Sequence, residues 1–164
     1  RSLKLNLSGR KVKTVTVDMG KALPETQKSI ILDGEKATFT PVNVGNPHAV
    51  VFVDDIEKAA VSSLGLKFQS HKSFPDGVNV EFAQIISENR IRMRVFERGS
   101  GITMACGTGA CAAVAAAVKK GFAGKNTPVT VMLDGGNLEI TVSKDNYITM
   151  TGPAKTVYEG ETFI

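Results

Sequence analysis

The stretch GTGACAAVAAAVKKG, residues 107–121, decides the fold. From Thr108 to Lys120 nearly every position is apolar on every face, and a helix that is apolar all round is a buried one. Its alanines are small, so strands can approach it closely. Lys119, Lys120 and Gly121 supply the charge and the terminator expected at a helix C-terminus. The stretch therefore predicts a central helix over 108–120 with strands wrapped around it.

The remainder of the chain supplies those strands. LKLNL (3–7) and KVKTVTV (11–17) alternate around a Ser-Gly-Arg turn. Further turns are marked at LDGEK (32–36), LDGGNL (133–138) and SKDNY (143–147), between strand-like runs such as VTVML, LEITV and YITM. A second helix is expected to start near Asp54 and Asp55, whose carboxylates suit a helix N-terminus, and to run through IEKAAVSSLG before a short turn toward His71. It is amphipathic and belongs on the outside. Together these readings predict an α+β fold, with mixed or antiparallel strands forming sheets or a barrel around one apolar helix.

Composition narrows the function. At 164 residues, 42% hydrophobic and 22% charged, the chain suits one soluble domain with a proper core. No run reaches the roughly 20 apolar residues of a membrane span. The start, RSLKLNLSGRKVK, alternates instead of forming an apolar signal core, so a cytoplasmic location is expected. Opening on Arg1 and passing straight into a strand pattern, it reads as the middle of a longer protein. The net charge of +4 comes from scattered lysines, and with no Trp and two Tyr there is no aromatic interleaving, which argues against a nucleic-acid surface.

The cysteines and histidines point away from metals. Cys106 and Cys111 lie five apart in a helical segment, a rise of about 7.5 Å that exceeds disulfide reach. They read as thiols in a reducing compartment. His48 and His71 have no ligand spacing, and the cysteine pair lacks CxxC geometry. There is no P-loop, and GSGITMACG is not a GxGxxG motif on a βαβ unit, so neither a flavin nor a nicotinamide is indicated.

Cys106 falls just before the first helical turn, where unpaired N–H groups point outward. Such a terminus holds carboxylates, and its field is expected to lower a thiol's pKa from about 8.5 toward neutrality. Cys111, inside the alanine run, reads as a small apolar core residue. Glu97 and Arg98 follow the strand IRMRVF and precede a Gly99-Ser100-Gly101 break. Adjacent opposite charges are commonly a solvated pair. Beside Cys106, however, an Arg fork suits a substrate carboxylate and a Glu can accept from an ammonium group. Asn46 and His48 flank Pro47 between apolar strands, where Gly-Asn-Pro is often only a turn and a lone histidine usually a structural hydrogen bonder. Asn79 is the odd polar residue of an apolar strand, and His71 reads as a surface residue.

The motifs VDMG (17–20), GNPHAVVFV (45–53), FPDGVNVEF (74–82), ERGSGITMACGTGACA (97–112) and TGPAKTVYEGE (151–161), in that order, resemble the diaminopimelate epimerase family over nearly the whole chain. The resemblance implies a cofactor-independent isomerase that interconverts LL- and meso-diaminopimelate, in lysine and cell-wall precursor synthesis, by moving one α-proton. It implies two similar barrel-like domains with the substrate in the cleft between them. By position, Cys106 resembles one of two catalytic cysteines, Glu97 the residue serving the thiol chemistry and the α-ammonium, and His48 the partner of the other cysteine. Gly107 and Thr108 resemble the N–H donors to the α-carboxylate, while Asn46, Asn79 and Arg98 resemble contacts to the distal end of the substrate.

The family's first half, with its other cysteine, has no counterpart in these residues. Residues 8–151 resemble the second domain. The segments 1–7 and 152–164 resemble flanking strands that join the first. A chain with one base is expected to be inactive alone, and its uncovered cleft and strand edges favour self-association, as a homodimer for instance. Ile102 departs from the family, many of whose members carry Glu there. Two other readings share the fold: a binding or scaffold domain without catalysis, and a related amino-acid racemase.

Overall fold

The computed structural model describes residues 2–162 of the chain. In chain order the elements are β1 (Leu3–Ser8), β2 (Lys11–Lys21), β3 (Leu23–Pro24), β4 (Lys28–Leu32), β5 (Glu35–Asn43), β6 (Pro47–Phe52), α1 (Val61–Ser70), β7 (Asn79–Ser87), β8 (Arg90–Glu97), β9 (Gly101–Thr103), α2 (Gly107–Lys120), β10 (Val129–Leu133), β11 (Gly136–Val142) and β12 (Tyr147–Pro153). The expected turns are in place. Asp33 and Gly34, both at positive φ (50° and 87°), join β4 to β5 in the tight form that matches strand twist.

The strands form one mixed sheet in the order β1-β2-β12-β11-β10-β8-β7-β6-β5-β3, with β4 attached to β5 and β9 to β8. The parallel pairs are β6 with β7 and β10 with β8, and every other pairing is antiparallel. Each parallel pair needs a crossover, and the two helices occur there: α1 connects β6 to β7, and α2 lies between β8 and β10. The hydrogen-bonded order does not close. One end is nevertheless tied covalently to the strand next to the other, since β3 follows β2 after the single residue Ala22.

The central helix is confirmed. Every residue from Gly109 to Ala117 is buried, Cys106 is the N-cap, and Gly121 terminates the helix in the left-handed conformation. Around it lies one core, built with Val50, Ala83, Met93, Val95, Val131, Ile140 and Ile148 from the surrounding strands. The opposite face of the sheet carries a second core, in which Val61 and Phe68 of α1 pack with Ala49, Val80, Phe82 and Phe96. Strand alternation sorts residues between these two cores, and that sorting places the site.

Two expectations need correction. The helix α1 begins at Val61, not at Asp54 and Asp55, and its N-cap Ala60 makes no side-chain cap. Asp55 instead accepts the Glu57 N–H at 3.0 Å and pairs with Lys58 at 2.9 Å, so its carboxylate closes a local turn. Within the 152–164 flank, Gly152 and Pro153 end β12 but residues 154–162 form no strand; residues 1, 163 and 164 lie outside the described part. Among the described residues no helix is long and apolar enough to cross a membrane.

Candidate active site

Alternation on β6, β7 and β8 turns His48, Glu81 and Glu97 to the face that carries Val50, Ala83 and Val95, the face packed on α2. His48 and Asn79 are register partners in the parallel β6–β7 pair. The chain after β8 turns through Gly99 and Gly101, whose φ angles of 80° and 76° suit glycine, and β9 returns it to the head of α2. The sheet thus brings polar groups from three strands to one helix N-terminus.

The contacts are specific. Asn79 is buried, donating from Nδ2 to the Pro47 carbonyl at 3.2 Å and accepting the Arg98 N–H at 2.9 Å. Arg98 is exposed, and its guanidinium donates to the Asp76 carbonyl at 3.1 Å. Glu97 is half-buried and accepts the Thr103 hydroxyl. His48 is fully enclosed: Nδ1 lies 2.7 Å from Glu81 Oε1, and Nε2 lies 3.0 Å from Asn46 Oδ1. His71 stands apart, with Nδ1 accepting the Ser73 N–H at the end of α1.

At the head of α2, the Cys106 sulfur accepts the Gly109 N–H at 3.4 Å and lies 3.6 Å from the Thr108 hydroxyl. Gly107 and Thr108 are half-buried at positions whose backbone N–H groups lack acceptors within the helix. Carboxylate binding is the chemistry such groups favour. Cys106 and Cys111 are both buried and form no disulfide.

The sulfur's acidity differs from the sequence expectation. Burial pushes the Cys106 thiol up to about 11, helped by the negative fields of Glu81 and Glu97. The Thr108 and Gly109 hydrogen bonds act in the opposite direction and are outweighed. The folded protein thus binds this proton more tightly than the unfolded chain does. Its contribution to stability is complete below about pH 9 and is lost as the pH rises through about 11.

Relative to a thiol at 9.0, a value near 11 leaves roughly a hundredfold less thiolate at pH 7. Iodoacetamide labelling of Cys106, followed by peptide mass spectrometry from pH 7 to 11, is expected to be slower by that factor and still rising at pH 10. A plateau near pH 8 would refute it.

The structure therefore brings Asn46 and His48, Glu97, and Cys106 with Gly107 and Thr108 toward one end of α2, whereas Asn79 joins them through its register with His48 and Arg98 is turned to the Asp76 carbonyl. The sequence reading passed over Glu81, which is wholly buried and touches His48. The available signal was parity: in VNVEFA a charged residue shares a strand face with Asn79 and Ala83, between Val80 and Phe82 on the other.

The chain is 45% identical over 170 residues to the diaminopimelate epimerase of Bacillus licheniformis, covering 94% of this chain and 59% of that protein. It is 48% identical over 160 residues to the diaminopimelate epimerase of Bacteroides thetaiotaomicron, covering 97% and 59%. The chain thus spans about three fifths of the length of the curated relatives it matches. Among solved structures, a hydroxyproline epimerase from Agrobacterium vitis with bound trans-4-hydroxy-L-proline superposes with a TM-score of 0.74 at 16% identity, over 91% of this chain and 53% of that one. That likeness concerns the fold. The family model for diaminopimelate epimerase matches residues 40–157, more than half of the chain, and this places the chain in the diaminopimelate epimerase family.

Proposed function

We propose that this chain supplies one half of a cofactor-independent epimerase acting on diaminopimelate, with Cys106 as the acid–base group for one face of the α-carbon. The observation that carries the reading is the sulfur's position: Cys106 caps α2, so a carboxylate resting on the Gly107 and Thr108 N–H groups would hold its α-carbon beside Sγ. Removing an α-proton without a cofactor requires stabilising the carboxylate as it gains enolate character, and a helix terminus in a dry cleft supplies this.

Inversion needs a proton donor on one face and an acceptor on the other. In the form described here Cys106 is a thiol, so it fills the donor role. The acceptor is assigned to the part of the relatives' length that this chain does not span, because Cys111 is sealed inside α2. Glu97 receives the α-ammonium group, and that positive charge offsets the carboxylate field that now opposes thiolate formation. Asn46, Asn79 and Arg98 read the distal end, and His48 serves the second cysteine. Residues 8–151 form the second domain in this reading.

The test is solvent deuterium incorporation at the α-carbon of LL-diaminopimelate, followed by mass spectrometry. The 164-residue chain alone is expected to give none above background, and the protein completed to its relatives' length is expected to incorporate deuterium and form the meso isomer. Turnover by the 164-residue chain would overturn the two-base assignment, and inactivity of the completed protein would overturn the function.

A further inference from the structure

We propose that Glu81 and His48 form one proton-sharing unit, in which Glu81 is a positioning residue that fixes which ring nitrogens of His48 carry hydrogen. The proposal deepens the epimerase reading, on which it rests only for the use His48 makes of its protons.

With the Asn46 amide oxygen 3.0 Å from Nε2, that contact requires a hydrogen on Nε2, because a carbonyl oxygen only accepts. A second hydrogen lies between Nδ1 and Glu81 Oε1, 2.7 Å apart. Either Nδ1–H donates to a carboxylate or the carboxylic acid donates to Nδ1. In both forms the two side chains hold two protons and no net charge, the arrangement burial favours.

The surroundings make a lone carboxylate costly. Both side chains are without solvent exposure, and Glu81 Oε2 is buried with no hydrogen-bond partner among the described residues. The titratable groups facing Glu81 are His48 from β6, Glu97 from β8 and Cys106 from the head of α2, and only His48 favours its ionisation. Burial is the largest influence and holds the Glu81 carboxyl above the ordinary range.

The fold also keeps space for this carboxyl. A Cβ at Gly109 would lie 2.7 Å from Glu81 Oε1 and 3.2 Å from both Glu81 Cγ and Cys106 Sγ. A glycine in the first turn of α2 therefore lets the acid reach the helix head, between the imidazole and the sulfur. Any side chain at 109 would force Glu81 or Cys106 to move.

The experiment is nitrogen NMR on the 164-residue chain with labelled histidine, where His71 is the internal reference and the only other histidine. In the unsubstituted chain at pH 7, His48 is expected to carry hydrogen on Nε2, seen as a one-bond nitrogen–hydrogen coupling. In Glu81→Gln the Nδ1 resonance is expected to move to that of a plain acceptor. A His48 with no hydrogen on Nε2, or ring resonances unchanged in Glu81→Gln, would overturn the proposal.

Should that variant fail to fold, carbon NMR of labelled glutamate in the unsubstituted chain decides. One carboxyl with the shift of a hydrogen-sharing acid at pH 7, or a carboxylate beside a His48 that carries hydrogen on both ring nitrogens, supports the unit, and only ordinary carboxylates with no hydrogen on Nδ1 overturn it. In the completed protein, Glu81→Gln is expected to lower kcat about tenfold to a hundredfold with KM little changed, by analogy with the scale on which groups that orient a metal-bound histidine act. An unchanged kcat would overturn the positioning role. The NMR result stands apart from catalysis, so inactivity of the completed protein would sink the epimerase reading alone.

Discussion

Replacing Cys106 by serine in the completed protein is expected to lower the rate of α-proton exchange by about a thousandfold or more, the upper range for loss of a general acid–base group. The fold should survive the change. Serine is a preferred N-cap, and its hydroxyl can take the Gly109 N–H that the sulfur now accepts at 3.4 Å. A hydroxyl is far less acidic than a thiol, so it neither gives up a proton readily nor exists as an anion at neutral pH. Because the helix keeps its cap, equal circular dichroism and an unchanged melting temperature would assign the loss to chemistry. Retention of rate within tenfold would remove Cys106 from the reaction.

How much of this was legible in the sequence depends on whether the cause is local. The alanine helix was readable because nine consecutive buried positions leave no polar face, and only burial explains such a segment. The hairpins were readable because Asp33-Gly34 and similar pairs favour positive φ wherever they occur. The start of α1 was not. Asp54 and Asp55 offer the same carboxylate chemistry to a helix or to a turn, and the choice depends on where Val61 and Phe68 reach the second core.

The site divides along the same line. Cys106 was recognisable from its glycines and its place before α2. Its acidity was not, because the field of a helix terminus can be read along the chain whereas desolvation and the carboxyls of Glu81 and Glu97 are assembled by distant strands. Glu81 shows the same limit from the other side. Parity marked it as inward-facing, but only the β6–β7 register sets it against His48.

Gly65→Ala is expected to destabilise the chain by about 2 kcal/mol, although alanine is the better helix former by about 1 kcal/mol. The gain in propensity is local, and the loss is steric. A Cβ at position 65 would lie 2.3 Å from Cγ, 2.5 Å from Cβ and 2.8 Å from Cδ1 of Phe96. Those are the ring's root atoms, so rotating the side chain does not clear them. Nor can the backbone yield easily, because Phe96 on β8 is paired with Val80 on one side and Ile102 on the other. The helix α1 must therefore lift, opening the contacts of Val61 and Phe68, the latter edge-on to Phe39 at 5.5 Å. Overpacking of this kind typically costs 1–3 kcal/mol and occasionally more, so the net effect is a melting temperature lower by roughly 4–8 °C. Urea unfolding should show the same loss, while Ser62→Ala on the exposed face of α1 should stay within about 0.5 kcal/mol of the parent. A Gly65→Ala variant as stable as the parent would mean that α1 does not pack against Phe96 at this distance, and the second core would have to be redrawn.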